Sequence, residues 1–187
     1  MLVLVAQFLL KLVIMKRILL ADNQDISKLG WQHIIAQFSD EYIVIEADHK
    51  KELVESLVID SNSLVILDYT LFDFESVDEL INIGARFPQT FWLLFSDALS
   101  DQFLRTVLLN TFTFGVIMKD SSFDEIKMAL KESLKGNRYI CSHVSNILLD
   151  NSRKAELKLP KNLLTITEQE ILKEMAMGKT SKEIASK

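Results

Sequence analysis

Asp68 closes the run Ser63-Leu-Val-Ile-Leu-Asp68, in which four apolar residues lead to one carboxylate. Such a run suits a strand covered on both faces. A carboxylate at its end needs a partner or a task, because burying a lone charge is costly. Three other apolar runs end in polar residues. Leu19-Leu-Ala21 delivers Asp22 and Asn23, Leu93-Leu-Phe95 delivers Ser96 and Asp97, and Val116-Ile-Met118 delivers Lys119 and Asp120. Two carboxylates with an amide form a hard-oxygen set suited to Mg²⁺, which takes few protein ligands and keeps several waters. A cation there keeps Asp68 ionised and nucleophilic despite burial. Lys119 can pair with that carboxylate and then, as a point charge, with phosphoryl oxygens. Ser96 can donate a hydrogen bond to the same phosphoryl group.

These residues converge only if their elements share one sheet. Arg17–Ala21, Tyr42–Ile45, Ser63–Leu67, Phe91–Phe95 and Phe114–Met118 are short and rich in β-branched or aromatic residues, which predicts strands. Helical spacing fills the intervals, roughly 25–38, 50–58, 76–86, 99–110 and 122–135. In the last of these, Phe123, Ile126, Ala129, Leu130 and Leu134 form one apolar stripe. Strand and helix alternating five times predict an α/β fold, a five-stranded parallel sheet doubly wound by helices. Functional groups of such sheets collect beyond the carboxyl ends of the strands, where Asp22, Asp68, Ser96 and Lys119 all fall.

Bulk properties narrow the function. The 187 residues are 49% apolar and 25% charged, with a formal net charge of −5. That balance argues against a protein that coats nucleic acid non-specifically. One cysteine, Cys141, excludes an intramolecular disulfide and a multi-cysteine zinc site, and with three scattered histidines it fits a reducing, cytoplasmic setting. The opening MLVLVAQFLLKLVIM lacks the basic start of an export signal, is interrupted by Lys11 and is too short to span a bilayer. The expectation is an apolar extension over 1–15, with Met15 a natural start and no membrane role.

After Gly136-Asn137 the pattern changes. A helix is expected over Ser142–Asp150, capped by Ser142, with Val144, Ile147 and Leu148 as its apolar face. A polar stretch with Pro160 then reads as linker, so 137–162 is expected to be linker with one short helix. From 163 a second module opens. Thr167-Glu-Gln-Glu170 fits a capping box that starts a helix running through Met175, and Gly178 stops it. A further helix begins near Ser181.

Residues 16–136 resemble a response-regulator receiver domain, on Leu-Leu-Ala-Asp22-Asn23, Ile-Leu-Asp68, Leu-Phe-Ser96 and Gly-Val-Ile-Met-Lys119-Asp120. Leu164-Thr-Ile-Thr-Glu-Gln-Glu-Ile-Leu172 and Ala176-Met-Gly178-Lys-Thr-Ser181-Lys-Glu-Ile-Ala185 resemble the start of a LuxR/FixJ-type helix-turn-helix module. The resemblance implies a flavodoxin-like sheet, and a switch rather than an enzyme. A sensor histidine kinase phosphorylates Asp68, Mg²⁺ sits among Asp22, Asn23, Asp68 and the backbone carbonyl of Thr70, and Ser96 and Lys119 engage the phosphoryl group. Output is DNA binding by a homodimer through a complete helix-turn-helix, of which 163–187 is the truncated beginning. Five positions depart from the family's pattern. Asn23 replaces a second acid, Val116 an aromatic switch residue, Asp97 a small residue, and Phe72 and Ser76 the usual Pro and Gly. Losing one acid should weaken Mg²⁺ binding, which leaves a phosphorylation-independent interaction module as the alternative. A phosphohydrolase is disfavoured, because Thr70 stands where the general acid would be. Asp73, Asp78 and Glu79 read as solvated helix-start charges, His33 as a packing or surface residue, Cys141 as filler, and Trp31 and Trp92 as packing.

Overall fold

The computed structural model describes residues 16–38, 42–156 and 166–177. Five strands, β1 (Lys16–Ala21), β2 (Tyr42–Ala47), β3 (Ser63–Leu67), β4 (Phe91–Ser96) and β5 (Phe114–Met118), form one sheet in the order β2-β1-β3-β4-β5. Every pairing is parallel. Helices α1 (Asp25–Ala36), α2 (Lys50–Ile59), α3 (Val77–Arg86), α4 (Asp101–Asn110) and α5 (Phe123–Leu134) make the crossovers and the return. Right-handed crossovers place α1 on one face and α2, α3 and α4 on the other. Covered on both sides, β3 and β5 are buried at every position, as their unbroken apolar runs demand.

Of the four helices that follow site-bearing strands, α3, α4 and α5 each start from a serine, whereas α1 starts from Gln24 without a side-chain cap. Ser76 Oγ accepts from Glu79 N–H at 3.2 Å, Ser100 Oγ from Phe103 N–H at 3.2 Å, and Ser122 Oγ from Glu125 N–H at 3.3 Å. Each cap satisfies a donor that the helix cannot, worth about 1 kcal/mol. These caps fix where the loops behind Asp68, Ser96 and Lys119 end.

Helix α6 (Ser142–Glu156) runs past its expected end at Asp150. The Cys141 carbonyl accepts its first hydrogen bond, from Ser145 N–H at 3.0 Å, so Ser142 is the first helical residue and not the cap. Helix α7 (Ile166–Ala176) likewise begins one residue before Thr167, which places Thr167 in its first turn and not at a capping position. The described residues fall into two compact units that divide between Leu148 and Leu149. Residues 137–148, expected in the linker, therefore pack with the first unit, since Cys141 and Val144 are buried and Ile147 and Leu148 lie against its core. The extension over 1–15, the stretch 157–165 and the helix expected from Ser181 lie outside the described residues.

Candidate functional site

Strand register brings the predicted residues to one level. Ala21 is the register partner of Leu67, and Ser96 that of Met118, so Asp22 and Asp68 leave neighbouring strands together while Lys119 follows beside Ser96. Two bonds extend the ladders one step into the site: Asp68 N–H donates to Ala21 O at 3.0 Å, and Lys119 N–H donates to Ser96 O at 3.2 Å.

The Asp68 carboxylate is the hub, and its side chain has no exposed surface. Its Oδ1 accepts from Ser96 Oγ at 2.9 Å, from Thr70 N–H at 3.0 Å and from the Thr70 hydroxyl at 2.6 Å. Lys119 Nζ donates to Oδ2 at 2.6 Å. Burial pushes this carboxyl upward, but the bonds from Lys119, Thr70 and Ser96 outweigh it, and its pKa falls below the ordinary 3.8. Asp22 behaves oppositely. Desolvation is its main influence and the Asp68 charge adds to it. Hydrogen bonds from Gln24 N–H and Ser27 and the Lys119 ammonium only partly compensate, so its pKa is raised. Two carboxylates at adjacent strand ends thus hold different protonation tendencies, a pattern common at functional sites.

The remaining predicted residues sit as follows. Lys119 Nζ lies 4.0 Å from Asp22 Oδ2 and 4.0 Å from Asp97 Oδ2, with Phe95 beneath it at 5.7 Å from the ring centroid. Asn23 is on the same loop as Asp22, but its amide nitrogen donates to Leu71 O at 2.7 Å, which leaves its oxygen as the only side-chain atom suited to a metal. Thr70 enters the site through its N–H and hydroxyl. Among the described residues, no three acidic, histidine or cysteine side chains cluster for a metal. The donor set that fits a hard cation is therefore the pair Asp22 and Asp68, with neutral oxygens and water completing it.

Sequence reasoning missed three participants. Gln24 Oε1 accepts from Lys119 Nζ at 2.8 Å while its own N–H donates to Asp22 Oδ1 at 2.7 Å, so one residue ties the acid to the ammonium. Its polarity two residues after Asp22 was the available signal. The Thr70 hydroxyl was missed because it depends on how the loop turns. Glu79, expected to be solvated, pairs with Lys50 at 2.6 Å and accepts from Glu75 N–H at 2.9 Å, while Asp73 accepts from Lys50 N–H at 2.6 Å. These bonds moor the loop after Asp68 to α2. Ser96 does not cap α4, which Ser100 does; Ser96 faces Asp68 instead.

Known proteins place this geometry. No curated family profile matches the chain. The nitrate/nitrite response regulator protein NarP of Escherichia coli is 25% identical over 175 residues, which cover 91% of this chain and 79% of NarP. The transcriptional regulatory protein LiaR of Bacillus subtilis is 26% identical over 171 residues, covering 91% of this chain and 81% of LiaR. Over about nine-tenths of its length the chain is thus similar to a bacterial response regulator and to a bacterial transcriptional regulatory protein. Among solved structures, a LuxR-family response regulator from Aurantimonas aligns with TM-score 0.63 at 19% identity, covering 74% of this chain and 98% of that one. The response regulator RcsB of Salmonella typhimurium aligns with TM-score 0.64 at 19% identity over 92% of this chain and 88% of its own. Both have the receiver fold described above, and the pocket just described lies at its carboxyl edge.

Proposed function

We propose that the chain is a phosphorylation-controlled regulator in which Asp68 is the phosphoacceptor. The observation that carries this reading is a fully buried yet acidic carboxylate, gripped by Ser96 and Thr70 on one oxygen and by Lys119 on the other. Oδ1 holds three partners and Oδ2 one, so Oδ2 is the oxygen freed most easily for attack. It forms a bond to the phosphorus of a phosphohistidine or of acetyl phosphate, and the donor leaves as imidazole or acetate. Lys119 then follows the phosphoryl oxygens, and Ser96 donates to them. Asp22 and Asp68, with Asn23 and the Thr70 carbonyl, would hold Mg²⁺, which supplies charge neutralisation for the transfer. Gln24 keeps Lys119 beside the pocket meanwhile.

On this reading a sensor histidine kinase is the upstream partner and the setting is cytoplasmic. No helix among the described residues is long and apolar enough to cross a membrane. The output is DNA binding as a dimer, through a helix-turn-helix module to which α7 belongs. A solved relative lends support: RcsB was captured bound to promoter rprA in the presence of the phosphomimetic BeF₃⁻. A second reading, a phosphorylation-independent interaction module, is favoured by Asn23, whose amide is already engaged by Leu71 O. Incubation with acetyl phosphate and Mg²⁺ followed by intact mass separates the two. One added phosphoryl group, absent from Asp68→Ala, supports the switch; no addition at saturating donor supports the module.

A further inference from the structure

The outer edge of β5 is already occupied. Val116 N–H donates to Tyr139 O at 2.7 Å, and Cys141 N–H donates back to Val116 O at 3.0 Å. Val116 and Ile140 form a parallel bridge, so three residues of the chain act as a sixth strand. The approach is close enough to require Gly115, where a Cβ would stand 2.6 Å from Tyr139 O. Arg138 fastens one end: Nε donates to Phe114 O at 2.9 Å, and a terminal guanidinium nitrogen donates to Leu108 O at 2.7 Å, which joins β5 to α4. Beyond it, Cys141 and Val144 are 1% and 0% exposed, and Arg105 donates to Leu148 O at 3.4 Å.

The fastening toward the Asp68 pocket is the weaker one. Glu125 Oε1 accepts from the Tyr139 hydroxyl and from Ser142 N–H, both at 3.4 Å. Glu125 lies in the first turn of α5, which Ser122 caps, and only the loop 119–122 separates that turn from Lys119. Displacing Lys119 toward a phosphoryl group pulls on that loop. The long Glu125 bonds then yield before the short Arg138 bonds, because hydrogen bonds weaken with distance.

We propose that the outer edge of β5 is a strand-docking site, filled in cis by the chain's own Arg138–Leu148 segment, and that occupation of the Asp68 pocket releases this segment. Main-chain pairing to a free sheet edge is a general mode of peptide recognition, and here the bound peptide belongs to the same chain. The release rests on the phosphoacceptor reading above; the docking does not.

Cys141 is the chain's single cysteine and is buried within the docked segment, so its reaction with a maleimide reports opening. On the full chain, acetyl phosphate with Mg²⁺ should raise the labelling rate about tenfold, as local opening would. Intact mass on the same sample counts the phosphoryl groups. Arg138→Ala should label about tenfold faster with no phosphodonor, and Glu125→Ala, which leaves the Arg138 bonds in place, about threefold faster. Phosphoryl gain with unchanged labelling overturns the release and leaves the phosphoacceptor reading standing. Absence of phosphoryl gain overturns the release together with that reading. If both variants keep the wild-type circular dichroism and label at the wild-type rate, the docking itself is overturned.

Discussion

Two lysines among the described residues each face three carboxylates, and only one of them lies in the proposed site. Lys28 Nζ lies 2.9 Å from Asp48, 3.3 Å from Glu46 and 3.5 Å from Asp25. Lys119 Nζ lies 2.6 Å from Asp68 and 4.0 Å from Asp22 and Asp97. The count is equal, and the Lys28 cluster is the tighter overall, with all three of its carboxylates within 3.5 Å. Burial separates them. Asp48, Glu46 and Asp25 are 60%, 42% and 93% exposed around a nearly buried ammonium, so water solvates the anions and the lysine is raised well above its usual range by its hydrogen bond to Asp48. The Lys119 ammonium is equally buried, but two of its three acids are buried with it, Asp68 at 0% and Asp22 at 5% exposure, and Asp97 alone is exposed, at 71%. Exposed ion pairs contribute little, whereas a desolvated carboxylate depends on its partner. A site therefore shows itself in where the anion is buried and not in how many charges meet.

The sharpest way to break this comparison is to remove each ammonium in turn. Lys119→Ala leaves Asp68 buried and uncompensated, and should cost about 3 kcal/mol of stability in urea melts. Lys28→Ala leaves acids that water can solvate, and should cost at most about 1 kcal/mol. Equal losses would erase the distinction. Next in size is a gain. Asp22→Asn removes a desolvated charge while keeping an acceptor for Gln24 N–H, so the metal-free protein should gain about 1 kcal/mol at neutral pH. The same variant should lose Mg²⁺ affinity by at least about tenfold, measured by calorimetric titration.

The pH dependence follows from the two carboxyl shifts. Asp68 is lowered, so its contribution to stability is present above the ordinary 3.8 and is lost as pH falls through its folded value. Asp22 is raised, so its contribution is present below 3.8 and is lost as pH rises through its folded value. The stability gain of Asp22→Asn should thus be absent in acid and grow as pH rises, which melts across an acid-to-neutral series will show. Salt gives the smallest effect. The cost of Lys28→Ala should shrink in concentrated salt, while that of Lys119→Ala should hardly change.

Much of this arrangement was legible in the chain. The runs ending in Asp22, Asp68, Ser96 and Lys119 are continuous and apolar because both sheet faces are covered, and that continuity announces the strand ends. Register then brings the four residues together without further information. What escaped reading depends on loop path. Gln24 and the Thr70 hydroxyl meet their partners only through the turn each loop takes, and Glu79 finds Lys50 across two helices. The edge segment at Tyr139–Cys141 is too short to show a period, and Gly115 signals a close approach without naming what approaches. The helices starting at Ser142 and Ile166 hold the serine and threonine expected as caps inside their first turns, a shift of one or two residues at a helix end.

The central claim concerns which carboxylate accepts the phosphoryl group, and borohydride reduction of the acetyl phosphate-treated chain tests it directly. Reduction converts an aspartyl phosphate to homoserine, which peptide sequencing by mass spectrometry then locates. The arrangement predicts homoserine at position 68 and nowhere else, dependent on Mg²⁺. Homoserine at position 22 or 97, or none despite confirmed phosphoryl gain, would contradict it.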